Sequence, residues 1–464
     1  MTFPDSVRTI FKTFTEKGFT CYAVGGSVRD LIMGKPTSGW DLTTDATPEK
    51  ILELFPDSFY DNQFGTVGVK IYKTPKTDQN PEPELEDIFE ITTYRSEKGY
   101  EDRRHPTTVI WGKSITEDLT RRDFTINAIA VNEKEFIDPF DGKGDIEKKF
   151  IKAVGNPDDR FKEDALRMMR AIRIASQIGF QIEEKTFDAI KKNASLIEEI
   201  SKERIQAELM KILGSSFPAD GILLLRNTSL LSHIIPELNN AFDVPQKSPK
   251  RHHIYDVGTH SVMALRYCPS TDPVVRFATL LHDVGKVPTF QKNPDGLITF
   301  FNHEVVGTRM VRSICDRLRF SKSDREKILT LVRWHQFSVD ERQTDSAIRR
   351  IIRRVGVENM DDMLALRIGD RLGGGATETS WRLELFKKRI IEVQVQPFSV
   401  KDLKIDGHDV MNALALPPGP RIGETLNAIF DLVDKGEIQN ERDELLKKIK
   451  EITFSSSSSP TSEE

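Results

Sequence analysis

Cysteine is scarce in this chain: three in 464 residues, Cys21, Cys268 and Cys315, far apart from one another. That argues against a disulfide framework and fits a reducing compartment. No apolar run approaches the length of about 18 residues that a membrane-spanning helix needs. No N-terminal signal pattern is present either. A cytoplasmic location without a membrane partner is therefore expected. Positive charge is not in excess, since the formal net charge is −5. Any nucleic-acid surface must then be a local patch, because the whole molecule does not attract polyanions. Internal repeats are lacking. What remains is a chain with 38% hydrophobic and 30% charged residues, able to bury cores and long enough for about two to four domains.

One more residue type is missing at a telling place. The stretch Val24-Gly25-Gly26-Ser27-Val28-Arg29-Asp30, followed by Gly39-Trp40-Asp41-Leu42-Thr43-Thr44, is laid out like a nucleotidyl-transfer site. A strand runs into a Gly-Gly turn that opens a helix, where backbone N–H groups can meet a phosphate. Arg29, one turn in, can add charge-assisted bonds to a triphosphate. A hydrophobic-flanked acid pair is expected to follow, because two-metal phosphoryl chemistry uses carboxylates that bridge both ions. Only the second acid, Asp41, is there; position 39 is glycine. Asp45 and Asp61 lie nearby but have the wrong spacing to replace it. Taken alone, a Gly-Gly pair is an ordinary strand–helix turn.

Alternation and periodicity set the rest. Residues 1–20 read as a helix with Val7, Ile10, Phe11 and Phe14 on one face. Phe19–Val24, Phe64–Tyr72 and Ile88–Tyr94 read as strands, with a loop over Thr74–Glu86. Glu90, between Phe89 and Ile91, repeats the apolar-acid-apolar step of Asp41, so neighbouring strands can bring both acids to one metal. Arg121-Arg122-Asp123 places two cations beside an acid ahead of a buried helix; by itself it is also a solvated charge cluster. Beyond about residue 140 the pattern is helical. A single helix is expected over Phe161–Phe180, with Asp164, Arg167 and Arg170 on one side. The plain reading of that side is intrahelical ion pairing. The sharper reading is base recognition, since an Asp can accept from an exocyclic amine while an Arg donates to a ring acceptor.

These blocks, in this order, resemble the bacterial-type (class II) CCA-adding enzymes and their poly(A) polymerase relatives. The matching stretches are AVGGSVRDLIMG, WDLTTDATPE, FGTVGV, FEITTYRSEKGYEDRRHP, EDLTRRDFTINAIAV, IDPFDGKGDIEKKFIKAVGNP, RFKEDALRMMRAIRIASQIGF and SKERIQAELMKIL, across about residues 20–215. The resemblance implies an α+β chain: a mixed-sheet, polymerase-β-like head at 1–140, a helical nucleotide-selecting neck at 141–244, then an elongated all-helical body. It implies Mg²⁺ on Asp41 assisted by Glu90, and Gly26 and Arg29 at the triphosphate. Arg121, with Arg122 beside it, would lie near the incoming nucleotide. Asp164 and Arg167 would act as a protein template choosing C, then A, with Arg170 and Arg173 holding the nucleotide. Glu97–Val109 resembles the family's flexible loop. The implied partners are tRNA, CTP and ATP. Gly39 occupies the slot of the family's first catalytic aspartate, so turnover is expected to be weakened.

A second constellation spans residues 245–375. His260, His282-Asp283, His303, His335 and Asp370 use four of the chain's nine histidines, a donor set that suits a divalent transition metal. It resembles the HD-domain phosphohydrolases, with His260, His282, Asp283 and Asp370 as core ligands and His303 and His335 completing a second position. That resemblance implies hydrolysis of 2′,3′-cyclic phosphates or 2′-phosphates on RNA ends. Residues 376–454, including Pro417-Pro418-Gly419-Pro420-Arg421, resemble the family's tRNA-binding tail, and 455–464 read as a disordered tail. Two alternatives stand beside CCA addition. One is a poly(A), CC- or A-only polymerase. The other is a polymerase-inactive RNA-binding protein whose chemistry is HD hydrolysis. The sequence sets no oligomeric state.

Overall fold

The computed structural model describes residues 2–37, 39–62, 65–73, 84–98, 108–112, 114–246, 255–337, 342–376, 380–393 and 400–455. The parts expected as a loop at 74–86 and as a flexible segment at 97–109 fall mostly outside these residues. So do most of the stretch at 245–254 and, but for Ser455, the tail. The chain divides into two compact units, Met1–Asp243 with Ser313–Phe320, and Val244–Arg312 with Ser321–Glu464. No helix among the described residues is long and apolar enough to cross a membrane.

The first unit opens on α1 (Asp5–Glu16), whose Val7, Ile10, Phe11 and Phe14 are all buried on one stripe. Burial of each such side chain contributes about 1.5–3 kcal/mol over leaving it exposed. Among the described residues up to 140, nine strands follow in chain order: β1 (Cys21–Val24), β2 (Asp41–Thr44), β3 (Ser58–Asn62), β4 (Thr66–Tyr72), β5 (Leu85–Thr93), β6 (Arg95–Lys98), β7 (Thr108–Trp111), β8 (Ala130–Val131) and β9 (Phe136–Ile137). Seven of them make one mixed sheet in the order β3-β4-β5-β2-β1-β8-β9, while β6 and β7 pair only with each other. In the middle, β1 and β2 run antiparallel and β2 and β5 run parallel. Helices α2 (Gly26–Ile32), α3 (Pro48–Leu54) and α4 (Ile115–Thr120) lie between them, and α5 (Gly142–Lys148) follows β9.

A helical neck continues with α6 (Pro157–Glu163), α7 (Leu166–Ile178), α8 (Glu184–Asn193), α9 (Lys202–Leu213), α10 (Pro218–Asn227), α11 (Leu230–Ile234) and α12 (Pro236–Asn239). The single helix expected over 161–180 is thus two. Asp164 ends α6 in extended conformation, φ −145° and ψ 104°. Its Oδ1 accepts from the Leu166 backbone N–H at 3.0 Å, the local side-chain bond by which Asp competes with a continuous helix. The apolar period runs on through the break, because Phe161, Ala165, Met168, Met169 and Ile172 are all buried. Gly179, at φ 75°, terminates α7.

The second unit contains α13 (Val257–Tyr267), α14 (Pro273–Leu281), α15 (Lys286–Thr289), α16 (starting at His303), α17 (Lys322–Trp334), α18 (Asp345–Val355), α19 (Met360–Gly373) and α20 (Trp381–Val393). Helices α13 and α19 approach each other closely at two glycines. A Cβ on Gly369 would stand 2.5 Å from the Ala264 carbonyl oxygen, and one on Gly373 2.5 Å from the Ala264 nitrogen. This contact carries Asp370 to His260. At the C-terminal end, α21 (Gly407–Leu414), α22 (Pro420–Asp434) and α23 (Arg442–Ser455) close over Val410, Ile429, Leu445 and Ile449. A capping box between Asp406 and Asp409 starts α21.

Candidate functional site

In the first unit the buried strand β1 delivers the chain to Gly25, which sits at φ 78° and ψ −144°, a conformation suited to glycine. The helix α2 then begins at Gly26. Across the sheet, Val24 pairs with Asp41 on β2, and Asp41 pairs with Glu90 on β5. Paired positions of adjacent strands point to the same face, so the two acids stand side by side. Their apolar neighbours Trp40, Leu42, Phe89 and Ile91 are buried, which leaves the carboxylates on the open face.

That face is one wall of a cleft of about 360 Å³. Six arginines (95, 121, 122, 167, 170 and 204) and four acids (Asp41, Glu90, Asp123 and Asp164) line it, a net excess of positive charge in a chain that is acidic overall. Packing around the Asp41 carboxyl pushes its pKa up, while Arg122 and Arg170 oppose the rise. The buried Asp123 is pulled the other way. Burial disfavours its charge, but the Arg170 guanidinium outweighs that and holds it at about 2. Arg170 donates to Asp123 Oδ2 from Nε at 2.9 Å and from Nη2 at 2.7 Å. Asp118, also buried, accepts from Arg121 Nε at 3.0 Å and Arg122 Nη2 at 3.3 Å. The Nε of Arg122 is buried without a hydrogen-bond partner. Arg167 donates to Glu163 Oε2 at 2.6 Å and to the Arg121 carbonyl at 3.2 Å. Asp164 accepts from Arg204 Nη2 at 2.7 Å.

The sequence-derived candidates Asp41, Glu90, Arg121, Asp164, Arg167 and Arg170 therefore meet in one cleft. Arg29 and Arg173 are held elsewhere. Arg29 bonds Asn127 Oδ1 at 3.1 Å and Asp30 Oδ1 at 2.8 Å, beside Gly26. Arg173 forms an ion pair with Glu208 at 2.7 Å, joining α7 to α9. Arg204, Arg95 and Asp118 belong to the site and were not singled out from the sequence. The Arg204 spacing to Glu208 on α9 matches an ordinary intrahelical pair and carries no signal of its own. Position 39 supplies no acid. Gly39 lies at φ 73°, so the chain turns left-handed just before β2, and a Cβ there would meet nothing within 4 Å. Asp45 is already used, accepting the Thr20 backbone N–H at 2.7 Å. Asp41 and Glu90 together fit one hard cation with carboxylate oxygens; the bridging acid a second ion would need is not supplied at position 39.

In the second unit six predicted ligands converge. His260 rides on α13, His282 caps α14 beside Asp283, His303 starts α16, His335 caps α17 and Asp370 rides on α19. Asp283 is shared between two clusters: His260 and His282 on one side, His303 and His335 on the other. Its Oδ2 is 3.4 Å from His260 Nε2 and 3.2 Å from His282 Nε2. Its Oδ1 is 3.4 Å from His303 Nε2 and 3.7 Å from His335 Nε2. Asp370 Oδ1 lies 3.1 Å from His260 Nε2 and 3.5 Å from His282 Nε2.

The second sphere fixes the tautomers. The Nδ1 of His282, His303 and His335 faces the carbonyl of Thr279 (2.7 Å), Phe300 (3.0 Å) and Val332 (2.7 Å) respectively. A carbonyl only accepts, so each Nδ1 carries a proton, and each Nε2 faces the carboxylates as the atom that becomes a lone-pair donor once a cation displaces any proton on it. That is the arrangement of metal-bound imidazoles, and the donor set fits a pair of divalent ions bridged by a carboxylate. Burial opposes protonation of His282, yet the adjoining Asp283 and Asp370 carboxylates push it up to about 10. Such crowding of acids and imidazoles is what a cation would relieve. The site opens into a cleft of about 380 Å³ that Lys286 and Arg367 also line.

A mixed sheet with a glycine turn, paired acids and an arginine-lined cleft defines a nucleotidyltransferase head on a helical body. The Poly A polymerase head domain family matches residues 21–152. The family described as "Probable RNA and SrmB-binding site of polymerase A" matches 179–242, and the one described as "tRNA nucleotidyltransferase domain 2 putative" matches 294–449. The CCA-adding enzyme of Geobacillus kaustophilus (strain HTA426) is 31% identical over 440 residues, covering 94% of this chain and 94% of its own. That of Ligilactobacillus salivarius (strain UCC118) is 32% identical over 450 residues, with 96% and 95% covered. A crystal structure of the Bacillus stearothermophilus CCA-adding enzyme in complex with CTP superposes with a TM-score of 0.71 at 27% identity, covering 98% of each chain. The chain belongs to the CCA-adding enzyme family, a family of nucleotidyltransferases.

Proposed function

We propose that this chain adds C, C and A to tRNA 3′ ends from CTP and ATP in the cytoplasm, at a turnover lowered by Gly39. One observation carries the reading: Asp41 and Glu90, paired across β2 and β5, share a cleft with Asp164, Arg167 and Arg170. Asp41 holds Mg²⁺ with Glu90 assisting; the ion, when bound, neutralises charge on the α-phosphate and the leaving group. In the step, the primer 3′-oxygen bonds the α-phosphorus in line, the bridging P–O bond breaks, and pyrophosphate leaves. Positioning and charge complementarity do most of this work. Gly26 and Arg29 serve the triphosphate from the α2 side. Arg121 and Arg122 meet the incoming nucleotide, and the unpartnered Nε of Arg122 is a donor that a phosphate oxygen satisfies. Asp164 and Arg167 choose the base, Arg170 holds the nucleotide, and Arg173 supports it through Glu208. Residues 1–140 act as head, 141–244 as neck, 245–375 as an HD domain and 376–454 as the tRNA-binding segment. Incubating the protein with tRNA lacking CCA, Mg²⁺ and all four NTPs, then sequencing the product ends, tests this. Ends reading CCA are expected; A-only or CC-only ends assign a partial or poly(A) polymerase.

A second activity is favoured by the tautomer-fixed histidines around Asp283. The HD cluster holds divalent transition metal and hydrolyses 2′,3′-cyclic phosphates or 2′-phosphates on RNA ends. With a cyclic phosphate, a water oxygen bonds phosphorus, one ester P–O bond opens, and the released ribose oxygen takes the proton. The bound metal supplies a deprotonated water at neutral pH. Lys286 and Arg367 offset charge on the phosphate. Should Gly39 silence the first site, this chemistry is what the chain retains.

A further inference from the structure

We propose that Phe301 is a base-stacking platform that makes the second cleft selective for nucleotide ends over bare phosphate esters; this rests on the HD reading above. The ring is 72% exposed, yet it lines the same cleft as Asp283, His303 and His335. Its position follows from the turn that builds the metal site. The Phe300 carbonyl accepts from His303 Nδ1 at 3.0 Å, and the Phe300 ring packs inward, 6.0 Å from Phe290 and 5.4 Å from the Lys286 ammonium. Asn302 turns left-handed at φ 58°. Two consecutive aromatic residues are thereby divided: Phe300 serves the core and the imidazole, and Phe301 is turned out at the mouth.

An exposed phenylalanine alone needs no explanation. This one shares a cleft with cations, Lys286 and Arg367, and with metal-ligand geometry that suits a phosphate ester. A phosphate seated on the metals leaves the attached sugar and base at the mouth of the cleft. A flat apolar ring there offers what every nucleobase can use, stacking on a π-face without hydrogen-bond readout. The ligand class is thus a nucleoside or RNA 3′-end bearing a 2′,3′-cyclic or 2′-phosphate, with little preference among bases.

Two measurements test it. The first compares adenosine 2′,3′-cyclic phosphate with glycerol 1,2-cyclic phosphate, which has no base, using manganese-loaded protein. Phe301→Ala should lower the ratio of kcat/KM values about tenfold, and Phe301→Tyr should keep it. The second reads binding instead of turnover, with diamagnetic zinc in place of manganese. Adenosine 2′-monophosphate should quench the additional indole emission of Phe301→Trp, and glycerol 2-phosphate should not. An unchanged ratio in Phe301→Ala, or no nucleotide-specific quenching, overturns the platform. Quenching without hydrolysis of either ester removes the hydrolase reading and leaves the base site standing. Hydrolysis of both esters at an unchanged ratio does the reverse.

Discussion

The Asp41 carboxylate lies directly over the Gly25 turn: a Cβ at position 25 would come within 2.9 Å of Asp41 Oδ2. Glycine is needed there twice, for its φ of 78° and for the room it leaves the acid. Gly25→Ala should therefore cost about 1–3 kcal/mol of stability and displace Asp41 as well. Chemical denaturation and an NTP-addition assay on the same variant check both effects. Full stability with full activity would mean the turn does not position the acid.

The proposed base choice by Asp164 and Arg167, which line the cleft, is open to a direct test. Substituting either by alanine should relax the preference for C and A over G and U by roughly 10-fold to 100-fold, the worth of a good bidentate base contact. Competition among the four NTPs, read by sequencing the extended ends, measures it. Because Arg204 bonds Asp164 at 2.7 Å, Arg204→Ala should change selectivity too, although it sits on another helix. Incorporation that stays selective in all three variants removes the template assignment.

Asp123 links the cleft to acid stability. Its folded pKa, at about 2, lies below the usual carboxylate value of 3.8. A lowered folded pKa stabilises the fold above the unfolded value and ceases to do so as pH falls through the folded one. The contribution, about 2 kcal/mol, should fade between about pH 4 and pH 2. Denaturation midpoints across that range should slope less in Asp123→Asn than in the natural chain. Equal slopes would show that Arg170 does not hold Asp123 ionised.

Metal occupancy of the second site should be twofold. Manganese or cobalt titration followed by calorimetry should give two ions, with one lost in His303→Ala/His335→Ala and both weakened in Asp283→Asn. Saturating metal at about 100 times its Kd should stabilise the fold by about 2.7 kcal/mol per ion bound, and the share of the His260–His282 half should vanish in His282→Ala. A single ion unaffected by His335 would limit the site to its His260–His282 half.

Much of this arrangement was legible in the sequence, for a physical reason. Asp41 and Glu90 each sit between apolar residues that the sheet buries, so alternation alone turns their carboxylates outward. The paired register of β2 and β5 then needs only adjacency of the strands. The histidines stood out because imidazoles repeated among apolar helices are costly unless something binds them. Other features left no periodic trace. The break at Asp164 is set by one side-chain bond to Leu166, while Ala165 keeps the helical apolar pattern going. The pairing of Arg173 with Glu208, and of Arg204 with Asp164, is decided by how α7 meets α9, which no local spacing reports. The left-handed turn at Gly39 was equally hidden: the missing acid could be read, but not that the chain there leaves the strand's face.

Restoring that acid is the most direct measurement. Gly39→Asp has free space for its side chain, and Asp tolerates a left-handed backbone better than most residues. Rates of C and A addition to tRNA lacking CCA, with Mg²⁺, should rise on the order of 10²-fold to 10³-fold over the chain with Gly39. Adding Asp41→Asn to that variant should abolish the gain. A chain with Gly39 that already adds CCA at full rate and responds to neither substitution would contradict the assignment of Asp41, and with it the cleft, as the place of nucleotidyl transfer.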